Sequence, residues 1–347
     1  MFAYWLLFGL FAVGAVTEQS RRPGDFRADP VLIVLGIFMI LMIGLRFHVG
    51  ADYEAYLRIF DYVSRLTFLE ALQRDDPGYH VLNWVVASFD GSVWLVNLVC
   101  GGIFGWGLLR LCQTEPSPRT AALVAIPYLV IVVAMGYTRQ AVAIGFIMAG
   151  IASLARGGSS IKFIVYVAFA ALFHKTSVVV LPLAIFAGQR NHFLNALAVL
   201  VAAYALYDAL LEESVDQLVA SYIDARYESQ GAAIRVAMNV VPALIILFAG
   251  RQLCLDERML RFWRLVAFAA LACVPALFLL PSTTAVDRVA LYLLPIQVVG
   301  IGRSIFLFKS YGFSKALVVG YCFAVLYVWL NFASHSFAWL PYRTVIQ

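Results

Sequence analysis

The sequence predicts an all-α, polytopic integral membrane protein, and three observations carry that expectation. Of the 347 residues 63% are hydrophobic, only 13% are charged, and apolar runs of bilayer length recur along the whole chain. The charged share is about half that of a soluble globular domain. Each run stops at a cluster of Arg, Lys, Asp, Pro or Gly, where a span would leave the hydrocarbon. Transmembrane strands would show as short alternating segments, which are missing, so helices remain.

Ten spans follow in order, at residues 2–16, 31–45, 92–109, 121–136, 139–155, 194–211, 233–250, 263–280, 289–307 and 316–333. The first has no Lys or Arg before its apolar stretch and no small-residue cleavage site, so it reads as a span and not as a secretory signal. Residues 161–187 are long enough for another span. They carry His174, Lys175, Thr176 and Ser177 in the middle, however, where an ionised Lys costs about 3 kcal/mol or more. A re-entrant hairpin of two short helices with that polar group at its tip avoids the cost. The two options put everything downstream on opposite sides, so the distribution of positive charge decides between them. With Arg21, Arg22 and Arg27 in the cytoplasm, the hairpin places 15 of the 25 basic residues there, among them Arg110, Arg119, Arg156, Arg190, Arg258 and Arg303. A continuous span would instead put the basic loop 251–264 outside and the acidic stretch 212–228 inside. The expected architecture is therefore about ten transmembrane helices plus a re-entrant helical hairpin at 161–187, forming one transmembrane domain over 1–347. Extracytoplasmic loops are expected at 46–91, with amphipathic helices, and at 212–232.

The net charge of +5 is spread between spans as topology determinants and gives no reason to expect a nucleic-acid partner. The five cysteines, Cys100, Cys112, Cys254, Cys273 and Cys322, lack the paired spacing of a metal or disulfide framework and read as packing residues. No Walker loop, GxGxxG, HExxH or GxSxG motif is present, so nucleotide-driven pumping, zinc proteolysis and serine hydrolysis find no support. Neither a cofactor nor a metal site is expected.

Four clusters at the outer ends of the expected spans carry chemistry. In Arg46-Phe-His-Val-Gly50-Ala-Asp52-Tyr53-Glu-Ala-Tyr56, Gly50 permits a sharp turn, Asp52 is suited to capping the next helix, and the tyrosines recur near helical spacing. Tyr137-Thr-Arg139-Gln140 opens a span, which puts a permanent cation beside the partial positive charge of a helix amino terminus and favours an anion. Asp287-Arg288, followed by Tyr292, repeats that arrangement, although Arg288 has its neighbour Asp287 as an alternative partner. Arg139 and Arg288, with Arg46 near the same level, suit a diphosphate gripped through charge-assisted bidentate hydrogen bonds. The fourth cluster is His174-Lys175-Thr176-Ser177 at the hairpin tip, where an imidazole titrates near neutrality. Near the end of the chain, Trp339-Leu-Pro-Tyr342 reads most simply as an aromatic belt at the interface.

Through these segments, taken in order and with Pro182 in the apolar run after Ser177, the sequence resembles the EpsG family, a branch of the Wzy-like polymerases of bacterial O-antigen and exopolysaccharide. The resemblance implies a multi-pass protein of the bacterial inner membrane with its site facing the periplasm or exterior. It implies transfer of a glycan from a polyprenyl-diphosphate carrier to a hydroxyl of another lipid-linked repeat unit, without a metal. Partners would be the lipid-linked oligosaccharide, membrane lipids, a chain-length regulator and a flippase. Under this reading Arg139, Arg288 and Arg46 bind the diphosphate, and His174 or Asp52 accepts the proton. Tyr53, Tyr56, Tyr137, Gln140, Lys175, Ser177 and Tyr292 are the candidate glycan or lipid contacts. A lipid-linked oligosaccharide flippase and an O-antigen ligase are the competing readings. A transporter would line a path on both sides, whereas the polar candidates map to the outer side, and the basic ends read as ordinary topology charges.

Overall fold

The computed structural model describes residues 1–187, 192–210, 231–280 and 282–346, and among them it is all-helical with no β-strand. The chain runs through α1 (Phe2–Val16), α2 (Pro30–Gly44), α3 (Tyr53–Val63), α4 (Phe68–Leu72), α5 (Pro77–Ser88), α6 (Val93–Cys112) and α7 (Pro118–Ala125). A π-helical stretch, Ile126–Ala134, continues α7. Then come α8 (Thr138–Ala155), α9 (Ser160–Phe173), a 3-10 turn (Lys175–Val180), α10 (Leu183–Ala187), α11 (His192–Leu210), α12 (Ala232–Ala249), α13 (Glu257–Leu279), α14 (Thr283–Leu293), α15 (Pro295–Arg303) and α16 (Tyr311–Phe332).

Six of the helices are long and apolar enough to cross a membrane, or seven if the pair α14 and α15 is counted as one bent span. The expected span at 289–307 is not straight: it breaks after Leu293, and its two parts are bent by 50°. Pro295 supplies the reason, having no N–H to bond to the preceding turn and a ring that crowds it. The expected spans 2–16 and 31–45 are helices of 15 residues, and 121–136 is a short α-helix continued as π, all three shorter than the six long helices. In the segment 161–187, α9 ends at Phe173, His174 is extended, and the chain resumes as the 3-10 turn, so the expected break is present. The expected outer loop at 212–232 and the basic Arg190 lie, except for residues 231 and 232, outside the described residues.

The centre of the bundle is the π-helical stretch, every residue of which is buried, and α8, with 83% of its apolar window buried; α11, at 6%, lies on the periphery. Small residues set the closest contact. A Cβ on Gly107 of α6 would collide with the carbonyl oxygen of Gly145 on α8. Backbones that approach this closely are a common way for helices to pack where lipid removes the hydrophobic drive. Loop 46–91 folds as α3, α4 and α5. On α3, Tyr53, Tyr56 and Val63 face inward while Glu54, Arg58 and Asp61 are exposed, the amphipathic pattern expected.

One end of the bundle gathers the basic residues read as topology charges, and most prove to be structural ties. Arg119 grips Asp29 through two hydrogen bonds of 2.9 and 3.1 Å, with Arg21 at 3.0 Å from the same carboxylate. Glu18 accepts from the amides of Arg119 and Thr120 at 2.8 and 3.1 Å, and Lys315 donates to its carbonyl. Arg303 pairs with Glu115 at 2.5 Å and donates to the carbonyls of Leu253 and Cys254, while Arg258 reaches that of Gly158. These contacts join the ends of α1, α6, α8, α12, α15 and α16 on one side. That is the grouping the hairpin requires.

At the opposite end the expected aromatic belt is corrected. Trp339 is 1% exposed, its Nε1 donates to the Ile131 carbonyl at 2.7 Å, and its ring fills the space left open by Gly136. Tyr4 donates to the Trp339 carbonyl at 2.7 Å, and Tyr342 to that of Met42 at 2.8 Å. The segment is thus a packed strap, because buried ring area and satisfied donors outweigh an interfacial position. Cys254 is likewise corrected: it is exposed in a left-handed turn, whereas the other four cysteines are buried.

The Gly107–Gly145 contact yields a matched test. Gly107→Val should lower the unfolding temperature of the purified protein sharply, consistent with an overpacking cost of about 1–3 kcal/mol. Gly102→Val on the same helix, where a Cβ meets nothing within 4 Å, should melt close to the parent.

Candidate functional site

At the end of the bundle away from the basic ties, five sequence-distant segments converge on a cavity of about 170 Å³. Gly50 makes the first approach possible. Its φ of +104° belongs to glycine, and a Cβ there would strike the Met135 carbonyl oxygen. The turn it forms delivers Asp52 and, one turn into α3, Tyr56 to the wall. The head of α8 contributes Tyr137, Arg139 and Gln140, and the break after α9 contributes His174, Lys175 and Thr176. Arg288 comes from the second turn of α14.

Two carboxylates that the sequence reading passed over organise this arrangement. Asp76, 5% exposed and in the left-handed conformation at φ +52°, accepts from Arg139 Nη1 through Oδ2 at 2.8 Å and from the Lys175 amide through Oδ1 at 2.9 Å. Asp75 pairs with Lys175 Nζ at 2.8 Å. The available signal was the run Asp75-Asp76-Pro77, in which a proline at the first helical position marks the start of α5 and leaves the acids just outside it. Thr176 was also missed as an active participant. Its hydroxyl lies 3.1 Å from His174 Nδ1 and 3.0 Å from the Tyr292 hydroxyl.

The expected capping role of Asp52 is corrected. It occupies the position before α3, and its carbonyl accepts from the Tyr56 amide, but its side chain makes no capping bond, and among the described residues its carboxylate has neither a hydrogen bond nor an ion pair. Burial raises its pKa above the ordinary carboxylate value, with Arg288 and Arg139 pulling the other way. The suggested pairing of Arg288 with Asp287 is corrected too. Adjacent residues on a helix point in different directions. Asp287 binds Arg235, with one contact at 2.6 Å, while Arg288 donates to Gln140 Oε1 at 3.1 Å and accepts at its carbonyl from Gln140 Nε2 at 3.3 Å. Of three cations on the cavity wall, Arg139 and Lys175 therefore face carboxylates, and Arg288 faces a neutral amide.

Eight of the twelve candidate residues line the cavity, and four do not. Arg46 is withdrawn as a diphosphate ligand. It is 1% exposed beneath the site, donating to the Ile43 carbonyl, to Asn97 at 3.2 Å and to Thr138 at 2.7 Å. Tyr53 is buried against Phe47 and His48. Ser177 is fully buried with its hydroxyl unpartnered. Tyr292 sits one hydrogen bond back, through Thr176. Among the described residues no group of three or more His, Cys, Asp or Glu side chains converges as a metal site.

The family model described as "EpsG family" matches residues 31–344, a range that contains every residue of the cavity. No curated protein and no solved structure matches the chain.

The Asp76 clamp is testable apart from any activity. Asp76→Ala leaves two part-buried donors without their acceptor and should reduce stability by about 1 kcal/mol, read as a lower unfolding temperature. Asp76→Asn keeps an acceptor for the Lys175 amide and should lose less. Equal melting of parent and alanine variant would remove the clamp.

Proposed function

This chain belongs to the EpsG family, and we propose that it is a polysaccharide polymerase that moves a glycan from a polyprenyl-diphosphate carrier onto a hydroxyl of a second lipid-linked repeat unit. The observation that carries the proposal is a cavity wall holding both Arg288, a cation with no ion pair, and Asp52, a carboxylate with none, among the described residues. An anionic leaving group and an acceptor proton are what such a pair lacks.

In the proposed reaction the acceptor oxygen attacks the anomeric carbon of the donor sugar, the bond from that carbon to the diphosphate oxygen breaks, and the acceptor proton passes to Asp52. Charge grows on the departing diphosphate, so donors already fixed in place stabilise it at no reorganisation cost. Arg288 is the principal donor, and Arg139, oriented by Asp76, is the second. Lys175 adds a third cation. A carboxyl whose pKa is raised by burial is a better base near neutral pH than an ordinary aspartate. His174, held by Thr176, and Tyr56, Tyr137 and Gln140 supply hydrogen bonds and ring surface for the sugars. By the positive-inside rule the basic end faces the cytoplasm of a bacterial inner membrane and the cavity faces outward. A chain-length regulator and a flippase remain the proposed protein partners.

A flippase would carry exposed charges at both ends of its path. A second cavity of about 270 Å³ does lie at the basic end, but the ion pair it contains, Glu115 with Arg303, is closed on itself. A ligase shares the donor chemistry and differs only in acceptor.

Reconstituted protein given a synthetic polyprenyl-diphosphate repeat unit should produce a ladder of lengthening products. Addition to an unrelated acceptor alone would identify a ligase, and lipid movement without glycan transfer a flippase. Arg288→Lys keeps the charge but loses the planar fork, and should slow the ladder about 100-fold. Near-normal polymer from that variant would end the diphosphate assignment.

Asp52→Asn should fold normally, since the side chain caps nothing, and lose about 100-fold in rate; His174→Ala should lose less. The reverse order, measured on equally stable variants, would move the proton to the imidazole.

A further inference from the structure

A groove of about 220 Å³ opens on the side of the bundle between α12 and α16. α12 packs against α13, α14 and α15, and α16 against α1, α7 and the π-helical stretch, so the two helices flank that stretch without closing over it. Tyr128 and Val132 of the stretch form the floor, and Trp329 and Phe332 of α16 form one wall. On the other wall Ile234 is 62% exposed, and across from it Phe332 is 70% exposed, which leaves the rim open to whatever surrounds the bundle. The one charged side chain in the groove, Arg235, is already bound to Asp287 and to the Tyr128 hydroxyl at 3.3 Å. Tyr137 borders the groove and also lines the cavity of Arg288 and Asp52.

We infer that this groove seats the first isoprene units of the polyprenyl carrier while the diphosphate lies beside Arg288, an inference that rests on the function proposed above. The geometry commits to that occupant. An apolar, laterally open channel suits a hydrocarbon chain, and a phospholipid tail would do as well in the groove alone. Adjacency across Tyr137 to a cavity holding a cation without an ion pair among the described residues adds the requirement for a headgroup of concentrated negative charge directly attached to the chain. Aromatic and branched side chains, five of the first and two of the second, match the methyl-bearing surface of an isoprenoid better than a straight acyl chain. The π-helical floor is part of the design. Its wider turns follow Pro127, and such departures from the α-helix occur often at functional sites.

The test uses the full chain in nanodiscs of phosphatidylglycerol, so that ordinary lipid is already in large excess, with undecaprenyl diphosphate and inorganic diphosphate as separate probes. Ala333→Trp fills the groove from its rim and should weaken undecaprenyl diphosphate about tenfold, leaving inorganic diphosphate unchanged. Arg288→Gln should weaken both. If Ala333→Trp leaves the lipid probe untouched while Arg288→Gln weakens both, the groove is overturned and the diphosphate site stands. If the parent binds neither probe, the function and the groove fall together. On unaltered protein, a short-chain isoprenoid diphosphate carrying a benzophenone should label α12 and α16 near Ile234 and Phe332; labelling confined to α11 or α1 overturns the assignment whatever the variant does.

Discussion

The Asp76 carboxylate ties together two elements at the site, the guanidinium at the head of α8 and the first amide after the break at His174. A chain broken at that depth exposes backbone groups that lipid cannot satisfy, so the break survives only against a partner within the protein. Asp76 is that partner, and its left-handed backbone and the proline that follows it aim the side chain inward. Lys175 is then neutralised from the flank by Asp75, which removes the cost of a lone cation near the hydrocarbon. Together with the packing of α8 on α9, this clamp holds Arg139, Lys175 and His174 on one wall.

The two ends of the bundle use charge in opposite ways. At the basic end guanidinium and ammonium groups close on carboxylates or carbonyls that belong to other helices, as Arg119 does with Asp29 and Arg303 with Glu115. Such contacts fix helix ends and leave little for a ligand. At the other end the pairing is incomplete. Gln140 offers Arg288 a neutral oxygen, and among the described residues the Asp52 carboxylate stands without a hydrogen bond in a partly desolvated turn. Leaving charges uncompensated is unfavourable for a folded protein and useful for one that binds an anion and removes a proton.

Much of this was legible in the sequence where the signal was local. The break at His174–Ser177, the approach at Gly50 and the cations at 139 and 288 each announced themselves by a polar residue or glycine set in an apolar run. Asp76 did not, because an acid before a proline is an ordinary helix start, and only Arg139, 63 positions away, gives it a further meaning. Arg46 misled for the same reason. A guanidinium at a helix end reads as an outer cation, yet Asn97 and Thr138 draw it beneath the site.

By itself the sequence determined the helices, most of their limits, the grouping of basic residues at one end and the segments that supply the site. These depend on apolar length, charge count and backbone-breaking residues, which are sums over neighbours in the chain. Tertiary structure alone decided who meets whom. It gave Asp287 to Arg235 and left Arg288 to Gln140, buried Trp339 in the space at Gly136, and opened a groove between α12 and α16 that leads to Tyr137. Side-chain direction on a helix turns by a fixed angle per residue, but the group it meets is set by how distant helices pack. That packing was written in glycine contacts and proline bends whose partners lie many residues away.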